Sequence, residues 1–116
     1  MRIISQDGTI DVNYDNVWLI INNKSTYKEK HNGIGWERIV DKDGNYIVEK
    51  PSFVISANTA EDYVTIGAYS TKKQALQVMK EIREAYKYVL PDDRSIENKV
   101  FQIPQDKGDK EWHTKK

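Results

Sequence analysis

The sequence predicts an α+β domain, in which an antiparallel sheet of about five or six strands carries one long helix packed on one face. Short runs of strand-forming residues alternate with turn sequences, and the pair Asp-Gly occurs at residues 7–8 and again at 43–44. Because this pair accommodates the positive φ of tight hairpin turns, each occurrence predicts two antiparallel strands. A single long amphipathic pattern over residues 70–91 predicts the helix. A chain of 116 residues is long enough for one such domain.

The first strands are predicted as a hairpin at the N-terminus. The turn at residues 6–8 joins a strand at about Arg2–Ser5 to a strand at about Thr9–Val12. The run Val17–Ile21 follows and is apolar on both faces, so it predicts a central, covered strand. Residues 22–36 are polar, contain glycine and show no period. They predict a long loop, and such loops in small domains often carry function.

The stretch "DKDG" at residues 41–44 raises the question of a calcium loop. An EF-hand loop requires glycine at its sixth position and glutamate at its twelfth. Counted from Asp41, these positions are Tyr46 and Ser52, so the pattern fails at both. Strand-forming residues flank the stretch on either side, which predicts a hairpin turn rather than a cation site.

Two more strands precede the helix. The runs "SFVISA" and "DYVTIGAYS" predict an antiparallel pair joined by the turn "NTAE". Simple alternation along the second run places Tyr63 and Tyr69 on the same face. Gly67 indicates a bulge or a close approach of the helix.

The helix is predicted from Lys72 to Leu90. Thr71 and Gln74 fit a capping box at its start, and Pro91 ends it. Apolar residues recur at spacings of three and four, which predicts one apolar face. The members of this face are Ala75, Leu76, Val78, Met79, Ile82, Tyr86, Val89 and Leu90.

The chain after the helix is short. The run "KVFQIP" predicts an edge strand that Pro104 stops. The remaining residues are polar, and only Trp112 among them favours burial. We therefore assign residues 1–104 to a single domain and residues 105–116 to a polar C-terminal tail.

Composition and charge argue against several classes of function. The chain has 18 Lys and Arg against 18 Asp and Glu, whereas proteins that bind nucleic acid over their whole surface carry a basic excess. This argument leaves room for a local basic patch. No apolar run approaches the roughly 20 residues of a membrane helix, and the N-terminus lacks the apolar segment of a signal peptide. We therefore expect a cytoplasmic protein that does not bind membranes.

The sequence contains no motif of an enzyme. Nucleophile elbows, Walker loops and dinucleotide glycine patterns are absent. The two histidines, His31 and His113, have neither a second histidine nor a cysteine at ligand spacing. We therefore expect a non-enzymatic protein that has no cofactor and no metal site.

Aromatic and cationic residues in the predicted loop are the best candidates for a binding site. Tyr27 lies among Lys24, Lys28 and Lys30. Aromatic rings flanked by lysines can stack bases and hold phosphates, but tyrosines on a polar sheet face also pack across strands, and both interpretations stay open. Because aromatic anchors dominate the binding energy of interfaces, we name four candidate binding residues. They are Tyr27, Lys28, His31 and Trp36.

The helix carries many charges, which are mixed along the chain. Its cations are Lys72, Lys73, Lys80, Arg83 and Lys87, and its acids include Glu81 and Glu84. Because the acids stand between the cations in sequence, the pattern indicates a solvated face with a Lys80–Glu84 pair rather than a binding stripe.

Three stretches carry a resemblance to a known family. They are "MRIISQDGTIDVNYDN" at the N-terminus, "AYSTKKQALQVMKEIREAY" in the helix and "FQIPQD" near the C-terminus. Together they resemble a family of small proteins from phages, prophages and mobile elements of Firmicutes. Two departures stand out: Asn13 replaces the usual proline, and Lys72-Lys73 replace acids that would suit the helix dipole. The resemblance implies a mobile-element setting and a bacterial cytosol, and it carries over no site residues.

By analogy with other small phage proteins, the resemblance implies a protein that binds a bacterial host protein and inhibits it. The expected target is a defence component, so that the protein acts in the manner of an anti-CRISPR. Two alternatives stay open. One is a sponge that holds a nucleotide immune signal between the protomers of a homodimer, with Tyr and Lys side chains on the base and the phosphates. The other is a nucleic-acid-binding accessory protein.

Overall fold

Ten short strands and one α-helix make up the described part of the molecule. The computed structural model describes residues 1–87 and 99–107. In chain order the elements are β1 (Arg2–Ile4), β2 (Asp11–Asn13), a 3-10 helix (Tyr14–Asn16), β3 (Trp18–Asn23), β4 (Thr26–Tyr27), β5 (Glu29–His31), β6 (Trp36–Arg38), β7 (Val48–Lys50), β8 (Phe53–Asn58), β9 (Tyr63–Tyr69), α1 (Lys72–Lys87) and β10 (Val100–Gln102). The fold class is α+β, as the sequence predicts.

The strands are distributed over several small sheets, which corrects the prediction of a single sheet of about five or six strands. Two sheets have three strands each, in the orders β10-β1-β2 and β3-β8-β9, and β4-β7 and β5-β6 form two-stranded pairs. These pairings are antiparallel except that of β1 with β10, which is parallel. β10 thus extends the sheet of the N-terminal hairpin and not the sheet of β9.

The N-terminal hairpin forms as predicted, with β1 and β2 antiparallel and Gly8 at a φ of +79°. Asp7 fixes the turn, because its Oδ1 accepts hydrogen bonds from Ser5 Oγ at 2.6 Å, from Thr9 Oγ1 at 2.7 Å and from Thr9 N at 3.0 Å. These bonds stabilise the charged carboxylate and lower the pKa of Asp7 to about 2. The bond from the Ser5 side chain contributes most, followed by the two bonds from Thr9.

A bulge in β9 changes the pattern of its faces. Between the pairs Ile55–Gly67 and Ser56–Thr65, β9 has one residue more than β8, and this extra residue is Ile66. A bulge shifts the alternation of side chains by one position.

As a consequence Tyr69 is buried, which corrects the prediction that it shares a face with the exposed Tyr63. The Tyr69 hydroxyl donates a hydrogen bond to Pro104 O at 2.6 Å. A Cβ added at Gly67 would lie 3.0 Å from Ile103 Cγ2. The close approach predicted at this glycine is therefore made by the residue that follows β10, and not by the helix.

β3 is an edge strand, which corrects the prediction of a central strand at Val17–Ile21. The central strand of its sheet is β8. Leu19 and Ile21 pack against the core, whereas Ile20 and Trp18 are exposed, Trp18 by 52%. The apolar run thus belongs to a strand with one buried face and one exposed apolar face.

Residues 22–36, expected as a long loop, contain strands instead. They include the end of β3, all of β4 and β5, and the first residue of β6. Since these strands pair locally and are largely exposed, no buried face imposes an alternating pattern on their sequence.

The helix packs on all three strands of the sheet β3-β8-β9. It begins at Lys72, and Thr71 Oγ1 accepts a hydrogen bond from Gln74 N at 3.2 Å, as the predicted cap requires. Leu76 is 51% exposed and so does not belong to the apolar face. The predicted end of the helix at residues 88–91 lies outside the described residues.

One core joins the helix to both three-stranded sheets. Its most deeply buried aliphatic members come from β1, β8, β9, α1 and the residue after β10, and they are Ile3, Ile55, Ile66, Ala75, Ile82 and Ile103.

The first residues of the predicted tail are tied to the domain. Gln105 Nε2 donates a hydrogen bond to Gln6 O at 2.7 Å, and Asp106 accepts hydrogen bonds from Ser70 N and Oγ, both at 3.2 Å. The rest of the predicted tail lies outside the described residues, and this part comprises residues 108–116 with Trp112 and His113.

Candidate functional site

Residues 24–51 form a branched set of short strands, which we call the arm. β4 and β7 pair at its base, and two hairpins branch from them, β5-β6 and a second one at residues 39–47. The backbone of Lys28 joins the two branches, since its N–H donates to Ile47 O and its carbonyl accepts from Ile39 N, both at 2.9 Å.

The tip of the β5-β6 hairpin is held by side chains that accept hydrogen bonds from the backbone. Asn32 Oδ1 accepts from Ile34 N at 3.0 Å and from Gly35 N at 2.9 Å. His31 Nδ1 accepts from Gly33 N at 3.1 Å, which fixes the orientation of the imidazole ring.

The tip of the second hairpin is the "DKDG" turn, and it is a hairpin turn as predicted. Asp41 Oδ1 accepts hydrogen bonds from Asp43 N at 2.9 Å and from Asn45 N at 3.0 Å, and Gly44 has a φ of +82°. Oδ1 of Asp41 therefore stabilises the turn.

A cation–aromatic cluster lies where the branches of the arm meet. The guanidinium carbon of Arg38 is 4.6 Å from the centre of the Tyr27 ring and 5.1 Å from that of Tyr46. The two rings lie edge to face, with centres 5.8 Å apart. No carboxylate among the described residues forms an ion pair with Arg38. The cluster thus presents a cation held by ring faces, a contact that gains strength when water is excluded.

A second aromatic pair lies on the β5-β6 hairpin. His31 and Trp36 are direct neighbours across the two strands, with ring centres 5.4 Å apart and an interplanar angle of 87°. His31 is fixed by the turn and packs against the indole, while Trp36 stays 69% exposed.

A shallow groove of about 520 Å³ runs beside both aromatic groups. Its walls combine two aromatic rings, an aliphatic side chain, a lysine and two carboxylates, which come from Tyr27, Trp36, Ile39, Lys28, Glu29 and Glu49. A groove with this lining suits a polypeptide better than a phosphate, because both of its carboxylates repel phosphate oxygens.

The arm exposes apolar surface without burying a core of its own. All of its residues are described, and none of them is buried. Five of the ten exposed large apolar side chains in the described chain belong to the arm, and Ile34 at its tip is 98% exposed. Concentrated exposed apolar side chains mark interaction sites on small proteins. The arm is therefore our candidate interaction site.

The four candidate residues from the sequence all lie in the arm, but only three of them line the groove. These are Tyr27, Lys28 and Trp36, whereas His31 packs against Trp36 from the neighbouring strand. Arg38 is not among the residues predicted from the sequence, although it stands two residues from Trp36 in β6 and so projects from the same face of the strand.

The cations of α1 lie closer together on the helix surface than the prediction of interleaved charges implies. Successive residues turn by about 100° around a helix, so positions 72, 80, 83 and 87 fall within an arc of about 80°. Glu84 borders this arc at about 40° from Lys80, whereas Glu81 lies about 100° from Lys80. The ion pairs among the described residues do not include the predicted Lys80–Glu84 pair. A helical projection of the sequence would have shown this row of four cations.

No three His, Asp and Glu side chains of the described residues lie close enough together to share a metal ion. No helix within residues 1–87 and 99–107 has the length and apolar character needed to cross a membrane.

Comparison of the chain with models of protein families, with curated proteins and with solved structures finds no match.

Proposed function

We propose that this chain is a non-enzymatic binding protein that uses the arm to contact a partner protein. The observation that supports the proposal is the exposure of apolar side chains in the arm. Ile34, Trp36 and Tyr46 are exposed there, and no residue of the arm is buried. Hydrophobic side chains in water are costly, and burial against a partner removes this cost. Tyr, Trp and Arg are also the residues that dominate binding energy at interfaces.

A protein partner fits the charges of the arm better than a nucleotide does. The arm carries six Lys and Arg against five Asp and Glu, so it offers little net attraction to phosphates. The groove also contains Glu29 and Glu49 beside the aromatic rings. A sponge for a nucleotide signal would need cations where these two carboxylates stand.

The nature of the partner protein rests on the family resemblance of the sequence alone. On that basis we propose a phage or mobile-element protein in the cytoplasm of a bacterial host, where the arm binds a host protein and blocks it. The proposed target is a component of host defence.

The experiment is a capture from nuclease-treated host lysate with matched baits. Ile34 is a suitable probe, because its side chain is almost fully exposed and we expect its substitution to leave the fold intact. Val100, an exposed apolar residue of β10 outside the arm, provides the matched control.

We expect one host protein to bind the parent and the Val100→Ser bait but to be depleted on the Ile34→Ser bait. A captured molecule that is small and absorbs as a nucleotide would replace the proposal with the sponge. Equal capture by the parent and both variants would remove the arm as the contact surface.

A further inference from the structure

A second surface, separate from the arm, has the chemistry of a phosphate-binding site. It starts from the cationic stripe of α1, where Lys72, Lys80, Arg83 and Lys87 lie on one side of the helix. At about 1.5 Å per residue, the stripe is roughly 22 Å long. That length matches a few successive phosphates of an extended single strand.

The groove over the first three turns of the stripe has no carboxylate in its lining, and Glu84 stands at the border of the stripe beside Lys80. This shallow groove has a volume of about 510 Å³, and its lining consists of Lys72, Lys73, Leu76, Gln77, Lys80 and Arg83. This contrasts with the groove of the arm, in which two carboxylates stand beside one lysine. The first turn of the helix has no acidic residue of its own, and the carboxylate at this end of the helix is Asp106, which accepts hydrogen bonds from Ser70.

An aromatic platform adjoins the stripe. A neighbouring groove of about 300 Å³ is lined by Arg83 together with Tyr14, Val17, Trp18, Leu19 and Met79. Trp18 is 52% exposed at the edge of the sheet, beside the cation that both grooves share. An indole next to cations is the arrangement on which unpaired bases stack while their phosphates are neutralised.

We infer that the stripe of α1 and Trp18 form a binding surface for single-stranded nucleic acid. Trp18 favours nucleic acid over an acidic protein segment, because stacking on an exposed indole distinguishes a base from a carboxylate side chain. The chain as a whole has no net charge, so the attraction for phosphates is confined to this surface. Because its cations displace counterions from the phosphates, the affinity depends on salt. This surface shares no residue with the arm and does not depend on the function proposed for it.

The test measures the anisotropy of a labelled single-stranded oligonucleotide of about 15 nucleotides over a range of salt concentrations. The variant Lys80→Gln with Arg83→Gln removes two cations near the centre of the stripe, away from Asp106, which accepts hydrogen bonds from Ser70 at the start of the helix. Its matched control is Glu81→Gln with Glu84→Gln on the neighbouring side of the same helix. Trp18→Leu tests stacking.

We expect the Lys80/Arg83 variant to bind about tenfold more weakly near physiological salt, with a salt dependence reduced by about 1.4 in log–log slope. The Glu81/Glu84 control should bind at least as tightly as the parent, and Trp18→Leu should bind more weakly.

Three results would overturn the inference: no salt-dependent binding by the parent, an unchanged affinity of the Lys80/Arg83 variant, or an unchanged affinity of Trp18→Leu together with equal competition by polyglutamate. The last result would assign the stripe to an acidic protein segment. The arm variant Tyr27→Ala with Trp36→Ala should bind the oligonucleotide like the parent, which separates this test from that of the arm.

Discussion

The side chain of Gln6 forms a closed pair of hydrogen bonds with the backbone of Ala68. Gln6 Oε1 accepts from Ala68 N at 3.0 Å, and Gln6 Nε2 donates to Ala68 O at 3.1 Å and to Pro104 O at 3.1 Å. One amide thus acts like a residue of a neighbouring strand along the outer edge of β9, and it ties the N-terminal hairpin to the segment after β10. The stretches "MRIISQDG" and "FQIP" lie at opposite ends of the sequence but are neighbours in space.

Substitution of Gln6 should destabilise the domain. We expect Gln6→Ala to lower the free energy of unfolding by about 1–3 kcal/mol, because it leaves partly buried backbone groups of Ala68 and Pro104 without partners. Gln105→Ala is the matched control, since this exposed glutamine donates one hydrogen bond and should cost less than about 1 kcal/mol. Urea unfolding of the parent and both variants measures the two losses. Equal stabilities of the Gln6 and Gln105 variants would show that the hydrogen bonds of the Gln6 side chain contribute little.

Ile82 is the residue of α1 that we expect to contribute most to the stability of the core. This side chain is fully buried, so Ile82→Ala should cost about 2–5 kcal/mol through lost transfer energy and a residual cavity. Leu76→Ala, on the exposed side of the same helix, should cost less than about 1 kcal/mol. Thermal melts of the two variants compare them directly. If the Ile82 variant melts like the parent, Ile82 does not belong to the core.

The "DKDG" turn needs glycine for its backbone. Gly44→Val should destabilise the second hairpin by about 1–2 kcal/mol, because valine disfavours positive φ. Space is not the cause, since nothing lies within 4 Å of a Cβ at this position. Gly35→Val is the control, since Gly35 is also unobstructed and has no positive φ. The melting temperature of the parent should not change on addition of calcium, and a rise of several degrees would contradict the assignment of a turn.

Asp7 should contribute a pH-dependent part of stability. Its pKa is lowered to about 2 in the folded protein by the hydrogen bonds from Ser5 and Thr9, against about 3.9 for an unperturbed aspartate. The contribution is therefore present above about pH 4 and is lost as pH falls towards 2. We expect Asp7→Asn to have a lower melting temperature than the parent at neutral pH. The difference in melting temperature should narrow between about pH 4 and pH 2. A difference independent of pH would show that the charge of Asp7 is unimportant.

The sequence predicts those parts of the fold in which local signals and packing agree. The hairpins at Asp7-Gly8 and Asp43-Gly44 follow from turn chemistry, and α1 follows from its periodic apolar face. By contrast, the burial of Tyr69 depends on a bulge at Ile66, which shifts every later side chain by one position. Gly67 signalled an irregularity, but a single glycine does not reveal its direction.

Features that depend on distant partners could not be read from the sequence. The apolar run at β3 resembles a covered strand, yet Trp18 and Ile20 face away from the core at the edge of a sheet. The parallel pairing of β1 with β10 joins residues almost a full chain length apart. The candidate residues of the arm were found through composition alone, whereas the position of Arg38 over two rings requires the branched pairing around Lys28.

The central claim is that the arm is the contact surface for a protein partner. The most direct measurement is the affinity of the captured partner, by calorimetry, for three forms of the chain: the parent, Tyr27→Ala with Trp36→Ala, and Lys72→Ala with Lys73→Ala. Since Tyr27, Trp36, Lys72 and Lys73 all lie outside the core, both variants should keep the melting transition of the domain.

The account predicts that the Tyr27/Trp36 variant binds at least about 30-fold more weakly, the loss of one interface hot spot, while the Lys72/Lys73 variant stays close to the parent. Undiminished binding by the Tyr27/Trp36 variant together with weakened binding by the Lys72/Lys73 variant would contradict the claim and place the contact surface on α1.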